Sequence, residues 1–168
     1  MLDFAAGRGR NTRALRDAGL RVVSVADGVA ESATPLGGIT DRFAAALSTH
    51  GLLHGTQSIV SDKVISIAQH LEPGGLLFAT FASARDARFG KGERVGAWTF
   101  APTEGDERGI AHAYFGRGRL RAMLAPHVTI ESMEERCVDD VVGAWAHPES
   151  PLRGAVHWFV IASAPASR

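Results

Sequence analysis

Four side chains in this sequence can take up or release a proton at a reacting centre: His50, His54, His112 and Tyr114. His50 and His54 are four residues apart, so on a helix they would share a face. With a carboxylate such a pair can hold a metal, but we expect no metal here and read each as an acid or base group or a structural hydrogen-bonding histidine. The run Gly105-Asp106-Glu107-Arg108 adds titratable groups close to His112. Arg85 and Arg88, in Ser83-Ala84-Arg85-Asp86-Ala87-Arg88-Phe89-Gly90, offer planar guanidinium groups that can grip an anion such as a carboxylate; the loop can equally be solvated or internally paired, Arg85 with Asp86 or Asp106. Trp145, between Asp139-Asp140 and His147, suits an aromatic wall or a core position. A different chemistry is written at the start of the chain, where an apolar run reaches Gly7-Arg8-Gly9. Small residues there let the backbone pass close to a ligand and turn sharply into a helix whose first N–H groups face it.

The elements that must position these groups follow from periodicity and breakers. Leu2 to Ala6 reads as a strand, Asn11 to Ala18 as a helix stopped by Gly19, and Leu20 to Ala26 as a buried, Val-rich strand, giving a βαβ unit. Residues 28–41 are small and polar and read as loop. Phe43 to Leu47 is the next strand. In Ser58 to Leu71, residues Val60, Val64, Ile67, Ala68 and Leu71 fall on one helical face, with Thr56 or Ser58 as the cap. Glu72-Pro73-Gly74-Gly75 ends that helix before the apolar strand Leu76 to Phe81. Residues 82–110 lack apolar periodicity and are expected to be a long functional loop. Arg117 to Leu124 reads as a short helix, and His127 to Met133 and Val156 to Ala162 as strands that close the sheet as an antiparallel pair.

Composition sets the class. A length of 168 residues suits one domain spanning 1–168, and hydrophobic and charged fractions of 45% and 21% suit an ordinary globular chain. Lys plus Arg (18) balances Asp plus Glu (18), so no net field favours a polyanion and nucleic acid is not an expected partner. Cys137 is the sole cysteine, which excludes an internal disulfide. With no leader pattern and no long apolar run, neither a membrane nor secretion is expected, and we read the chain as cytoplasmic.

Asp3, Ala5, Gly7 and Gly9 together resemble motif I of the class I S-adenosylmethionine-dependent methyltransferases. A nicotinamide-binding G-x-G-x-x-G would need glycine at position 12, where Thr12 stands. Leu47-Ser48-Thr49-His50 resembles the family's fourth-strand motif, His70 to Gly75 with Leu76 to Phe81 resembles its "L-x-P-G-G-x-L" approach to strand five, and His112-Ala113-Tyr114-Phe115 resembles the block before strand six.

The resemblance implies a Rossmann-like α/β fold: a mostly parallel sheet with helices on both faces, a C-terminal antiparallel strand pair and a shortened third-strand region. It implies methyl transfer from S-adenosyl-L-methionine to a small molecule with an O, N or S acceptor, with S-adenosyl-L-homocysteine as product. Cofactor contacts would come from Asp3, Ala5, Ala6, Gly7, Arg8, Gly9, Asn11 and Thr12, from Ser48, Thr49 and His50, and from Asp27 to the ribose, one residue beyond the usual acidic position. His50, His54, His112 and Tyr114 would be catalytic, and Arg85, Arg88 and Trp145 would face the substrate. The stretch from Asp27 to Phe43 is short and polar for a helix, a third strand and an acidic adenine contact. The family's covering helices are not seen before motif I: either they are missing, or a neighbouring chain, as in a homo-oligomer, or the 82–110 segment supplies the cover. A non-catalytic or partner-dependent methyltransferase-like subunit is the alternative.

Overall fold

The computed structural model describes residues 1–26, 36–138 and 154–166. Asp27 and Trp145, and with them Asp139, Asp140 and His147, lie outside the described residues.

Strand β1 (Leu2–Phe4) is buried on every residue and leads through a glycine turn into helix α1 (Arg10–Asp17). The helix stops as its glycine predicts: Gly19 N–H donates to Arg16 O and Leu20 N–H to Leu15 O, the paired bonds of a Schellman end, with Gly19 at φ 84°. Strand β2 (Val23–Val25) pairs parallel with β1. The buried seven-residue strand expected here is reduced to three residues with only Val25 buried, because β2 is the sheet's edge among the described residues and Val23 faces outward.

Strand β3 (Phe43–Ser48) pairs parallel with β1 on its other side. Helix α2 (Gln57–His70) follows, capped by Thr56 Oγ1, which accepts from Ile59 N–H at 3.4 Å, and it buries Val60, Val64, Ile67 and Ala68 as the spacing requires. Strand β4 runs over Leu71–Ser83, so the Pro-Gly-Gly segment does not separate helix from strand as expected. It is an irregularity inside the β3–β4 ladder, where Phe43 pairs with Leu71 but Ala45 pairs with Leu76. Gly75 makes this fit possible, since a Cβ there would lie 2.9 Å from Glu72 O and 3.0 Å from Phe43 O.

The 82–110 stretch is not one loop. It holds a hairpin of β5 (Glu93–Gly96) and β6 (Thr99–Ala101), whose β6 pairs antiparallel with β7 (His112–Phe115). Three- and four-residue strands are too short to show a period, which is why the sequence conceals them. Helix α3 (Arg117–Leu124) and the antiparallel strands β8 (Thr129–Cys137) and β9 (Val156–Ser163) complete the fold.

The sheet runs β2-β1-β3-β4-β7-β6-β5, with β9 antiparallel against β4 from Leu76 to Ala82 and β8 beyond it. On β4 the two-residue period divides the faces: Leu77, Ala79 and Phe81 join the core that includes α2. Phe78 and Thr80, paired with Ile161 and Phe159, line the opposite face, where a groove of about 330 Å³ reaches Ser48 and Thr49 at the carboxyl end of β3. Among the described residues no helix is long and apolar enough to cross a membrane.

Candidate functional site

The glycine turn after β1 is built from left-handed residues: Ala5 at φ 57°, Gly7 at 53° and Gly9 at 73°. Ala5, unlike the glycines, adopts this conformation at a cost of about 1 kcal/mol or more, a strain that clusters at ligand sites. Gly9 N–H donates to Ala6 O at 2.8 Å, and Ala6 N–H to Val25 O at 2.9 Å, tying the turn to the end of β2. Asp3 is 1% exposed, and its Oδ2 accepts from Thr12 Oγ1 at 2.5 Å, so the carboxylate under the turn is held by the first helix. Asn11 Nδ2 donates to Thr49 Oγ1 at 3.0 Å, which joins this turn to the end of β3. Gly51 lets the two approach, because a Cβ there would overlap the Cβ of Ala5. Ser48 Oγ is buried with no hydrogen-bond partner among the described residues, and Ser48 lines the groove. Arg8 and Arg10 are exposed beside the turn.

The residues after β3 do not form a helix, so His50 and His54 do not share a face; they diverge along a turn. Lys63, on the apolar face of α2 and 1% exposed, shapes that turn by donating to Gly51 O at 3.1 Å and His54 O at 2.7 Å. His50 packs edge-on to His157 with ring centroids 5.9 Å apart. Burial pushes both imidazoles down, His50 to about 3 and His157 to about 4; His157 itself adds to the fall at His50, and Arg88 to the fall at His157. Both are therefore neutral at physiological pH.

His54 meets a different partner. Gly55 N–H donates to Ala111 O at 2.7 Å and Ala113 N–H to Leu53 O at 2.9 Å, so His54 and His112 form a non-hydrogen-bonded antiparallel pair, the kind that brings side chains closest. Their rings lie 4.9 Å apart. The turn at 105–110 presents Glu107 to both, with His112 Nε2 to Oε2 at 3.2 Å and His54 Nε2 to Oε1 at 3.6 Å. Hydrogen bonds from His112 and then His54 outweigh burial and hold the Glu107 carboxyl well below the usual carboxylate range.

Tyr114 follows His112 on β7 and packs with Phe89 and Phe100; burial raises its hydroxyl to about 12, so it can donate a proton in a hydrogen bond but is not a base near neutrality. Phe115 is core. The arginines are paired, though not as the loop reading had it. Arg88 binds Asp86 through Nε and Nη2, both at 2.9 Å, and Arg85 Nη1 reaches Glu135 at 3.1 Å. Asp86 also accepts from Val156 N–H at 2.9 Å. Burial alone would raise its carboxyl, but the hydrogen bonds and charge of Arg88 prevail and hold it below the usual range.

Sequence reasoning missed His157 and Lys63, and saw Glu107 and Asp86 only as nearby charges. A signal existed for two of them: His157 interrupts an apolar strand, and Lys63 lies on an apolar helix face. Nothing local marks Glu107, which reaches the histidines only through the turn that carries it.

No family model matches the chain, and no curated protein matches it. Solved structures do, across nearly its whole length. A crystal structure of a S-adenosylmethionine-dependent methyltransferase from Methanosarcina mazei is similar at a TM-score of 0.71 and 15% identity, over 98% of this chain and 91% of that one. The Burkholderia thailandensis 1,6-didemethyltoxoflavin-N1-methyltransferase, solved with 1,6-didemethyltoxoflavin and S-adenosylhomocysteine, is similar at 0.66 and 20%, over 98% and 70%. The CcbJ methyltransferase from Streptomyces caelestis is similar at 0.64 and 14%, over 97% and 82%. The fold is thus the one that S-adenosylmethionine-dependent methyltransferases adopt, as the ordered motifs led us to expect.

Proposed function

We propose that this chain is an S-adenosyl-L-methionine-dependent methyltransferase that acts on a small molecule through an O, N or S acceptor. The observation that carries the reading is the turn after β1. Strained Ala5, Gly7 and Gly9, the buried Asp3–Thr12 pair and the buried Ser48 hydroxyl meet at the carboxyl ends of β1 and β3. In open α/β sheets ligands bind at that end. The likeness to a methyltransferase solved with its small-molecule substrate supports the acceptor class.

The donor set fits the cofactor. Backbone from Ala5, Ala6, Gly7, Arg8 and Gly9, with Asn11 and Thr12 at the helix start, would hold its methionine end over Asp3, while Ser48, Thr49 and His50 would line the side next to the reacting methyl. Asp27 is the proposed ribose ligand. When bound, S-adenosylmethionine supplies a sulfonium methyl open to in-line displacement. The chain's own task is then to align an acceptor lone pair and, where the acceptor carries a proton, to remove it. His50 is neutral and so can accept a hydrogen bond from the acceptor. His54 and His112, oriented by Glu107, are the further proton-handling pair, Tyr114 is a donor, and Arg85, Arg88 and Trp145 are the proposed substrate contacts.

Incubation with methyl-labelled S-adenosylmethionine and a panel of small hydroxyl, amine and thiol compounds tests this. The expected result is a product carrying the labelled methyl, lost in Asp3→Asn. Cofactor binding without transfer to any acceptor class would favour the non-catalytic subunit.

A further inference from the structure

We propose that His54, Glu107 and His112 form a binding site for one divalent transition-metal cation of the zinc type, with a fourth position open to water or to an oxygen or nitrogen donor. The three ligand atoms lie within 4.8 Å of one another. A tetrahedral ion with arms of about 2.1 Å spaces its ligand atoms about 3.4 Å apart. His112 Nε2 lies 3.2 Å from one Glu107 oxygen and His54 Nε2 3.6 Å from the other, both near that spacing, so a small shift of the carboxylate would bring one oxygen into place beside both rings.

The ring chemistry points the same way. His112 Nδ1 lies 2.9 Å from Ile110 O, a contact that requires the proton on Nδ1. That leaves Nε2 as the ring atom turned toward the Glu107 carboxylate, the atom through which His112 would hold a metal. A histidine that donates its far nitrogen to a backbone carbonyl is the arrangement that orients metal ligands. Two imidazoles and one carboxylate are a donor set for zinc and its first-row neighbours rather than for magnesium or calcium. An approach exists, since the His54 and Glu107 side chains are 25% and 29% exposed, while His112 at 4% anchors the site. The site is prearranged by backbone: the His54–His112 bridge fixes both rings, and Ile110 N–H to Glu107 O at 3.0 Å closes the turn that carries the carboxylate. A metal held there would take these two imidazoles out of the proton-handling role proposed above, and its binding does not require the cofactor.

Chelator-treated protein titrated with cobalt(II) tests it, because a low-coordinate cobalt site gives an intense visible absorption that the aqueous ion lacks. The expected result is a band saturating at one cobalt per chain and displaced by zinc, with zinc also raising the thermal midpoint. Glu107→Gln and His54→Gln, each verified as folded by circular dichroism, should weaken cobalt binding by at least about tenfold, whereas His127→Gln should leave it unchanged. A wild-type spectrum no stronger than aqueous cobalt, or a band kept at the same affinity in both folded ligand variants, would overturn the proposal.

Discussion

At the scale of single residues, the histidines divide by environment. His50 and His157 are buried and neutral, at about 3 and about 4 against an ordinary value of 6.5. Above pH 6.5 neither the folded nor the unfolded chain protonates them, so their burial carries no penalty. As pH falls from there toward 4, the unfolded chain takes up protons that the folded chain refuses, and stability drops by about 1.4 kcal/mol per pH unit per proton. Asp86 and Glu107, held low in the fold, add acid sensitivity only below the usual carboxylate range. Urea unfolding at about pH 7 and about pH 5 should therefore show a loss that His157→Gln reduces; parallel losses in the two proteins would refute this assignment. Thr12→Val is a second case, since it removes the donor to Asp3 Oδ2 in a buried setting and should cost about 1–3 kcal/mol, read as a lower thermal midpoint.

Elements explain why these residues meet. The turn after β3 is held by Lys63 from α2, so Lys63→Met, which strips Gly51 O and His54 O of their ammonium donor, should lower the thermal midpoint and weaken S-adenosylhomocysteine binding well below that midpoint. An affinity unchanged at that lower temperature would reduce Lys63 to a stabilising role. Gly51→Ala should act alike by forcing β1's turn away from β3's, at about 1–3 kcal/mol. The elements legible in sequence are those with a period or a breaker of their own: α1 with its Gly19 stop, α2 with its Val60, Val64, Ile67 and Ala68 stripe, and the β8–β9 pair. The β5–β6 hairpin was illegible because its strands are too short to alternate, and β2 read as buried because Val-rich runs look the same at an edge as in the middle of a sheet.

For the whole molecule, the site is a product of register rather than of neighbouring sequence. Asp3 and Ser48 come together because β1 lies beside β3, His157 reaches His50 because β9 inserts antiparallel on β4, and His54 meets His112 through one bridge between segments far apart in the chain. Motif I and the end of β3 were readable because local residue types carry them; the Glu107 and His157 contacts were not, because pairing alone creates them. The proposed cofactor site is the turn at Asp3 to Thr12 joined to Ser48 and Thr49. Isothermal titration calorimetry with S-adenosylhomocysteine tests it most directly. The prediction is saturable one-to-one binding that Asp3→Asn weakens at least about tenfold, a loss of about 1.4 kcal/mol. A folded wild-type sample that gives no binding heat with either S-adenosylhomocysteine or S-adenosylmethionine would contradict the account.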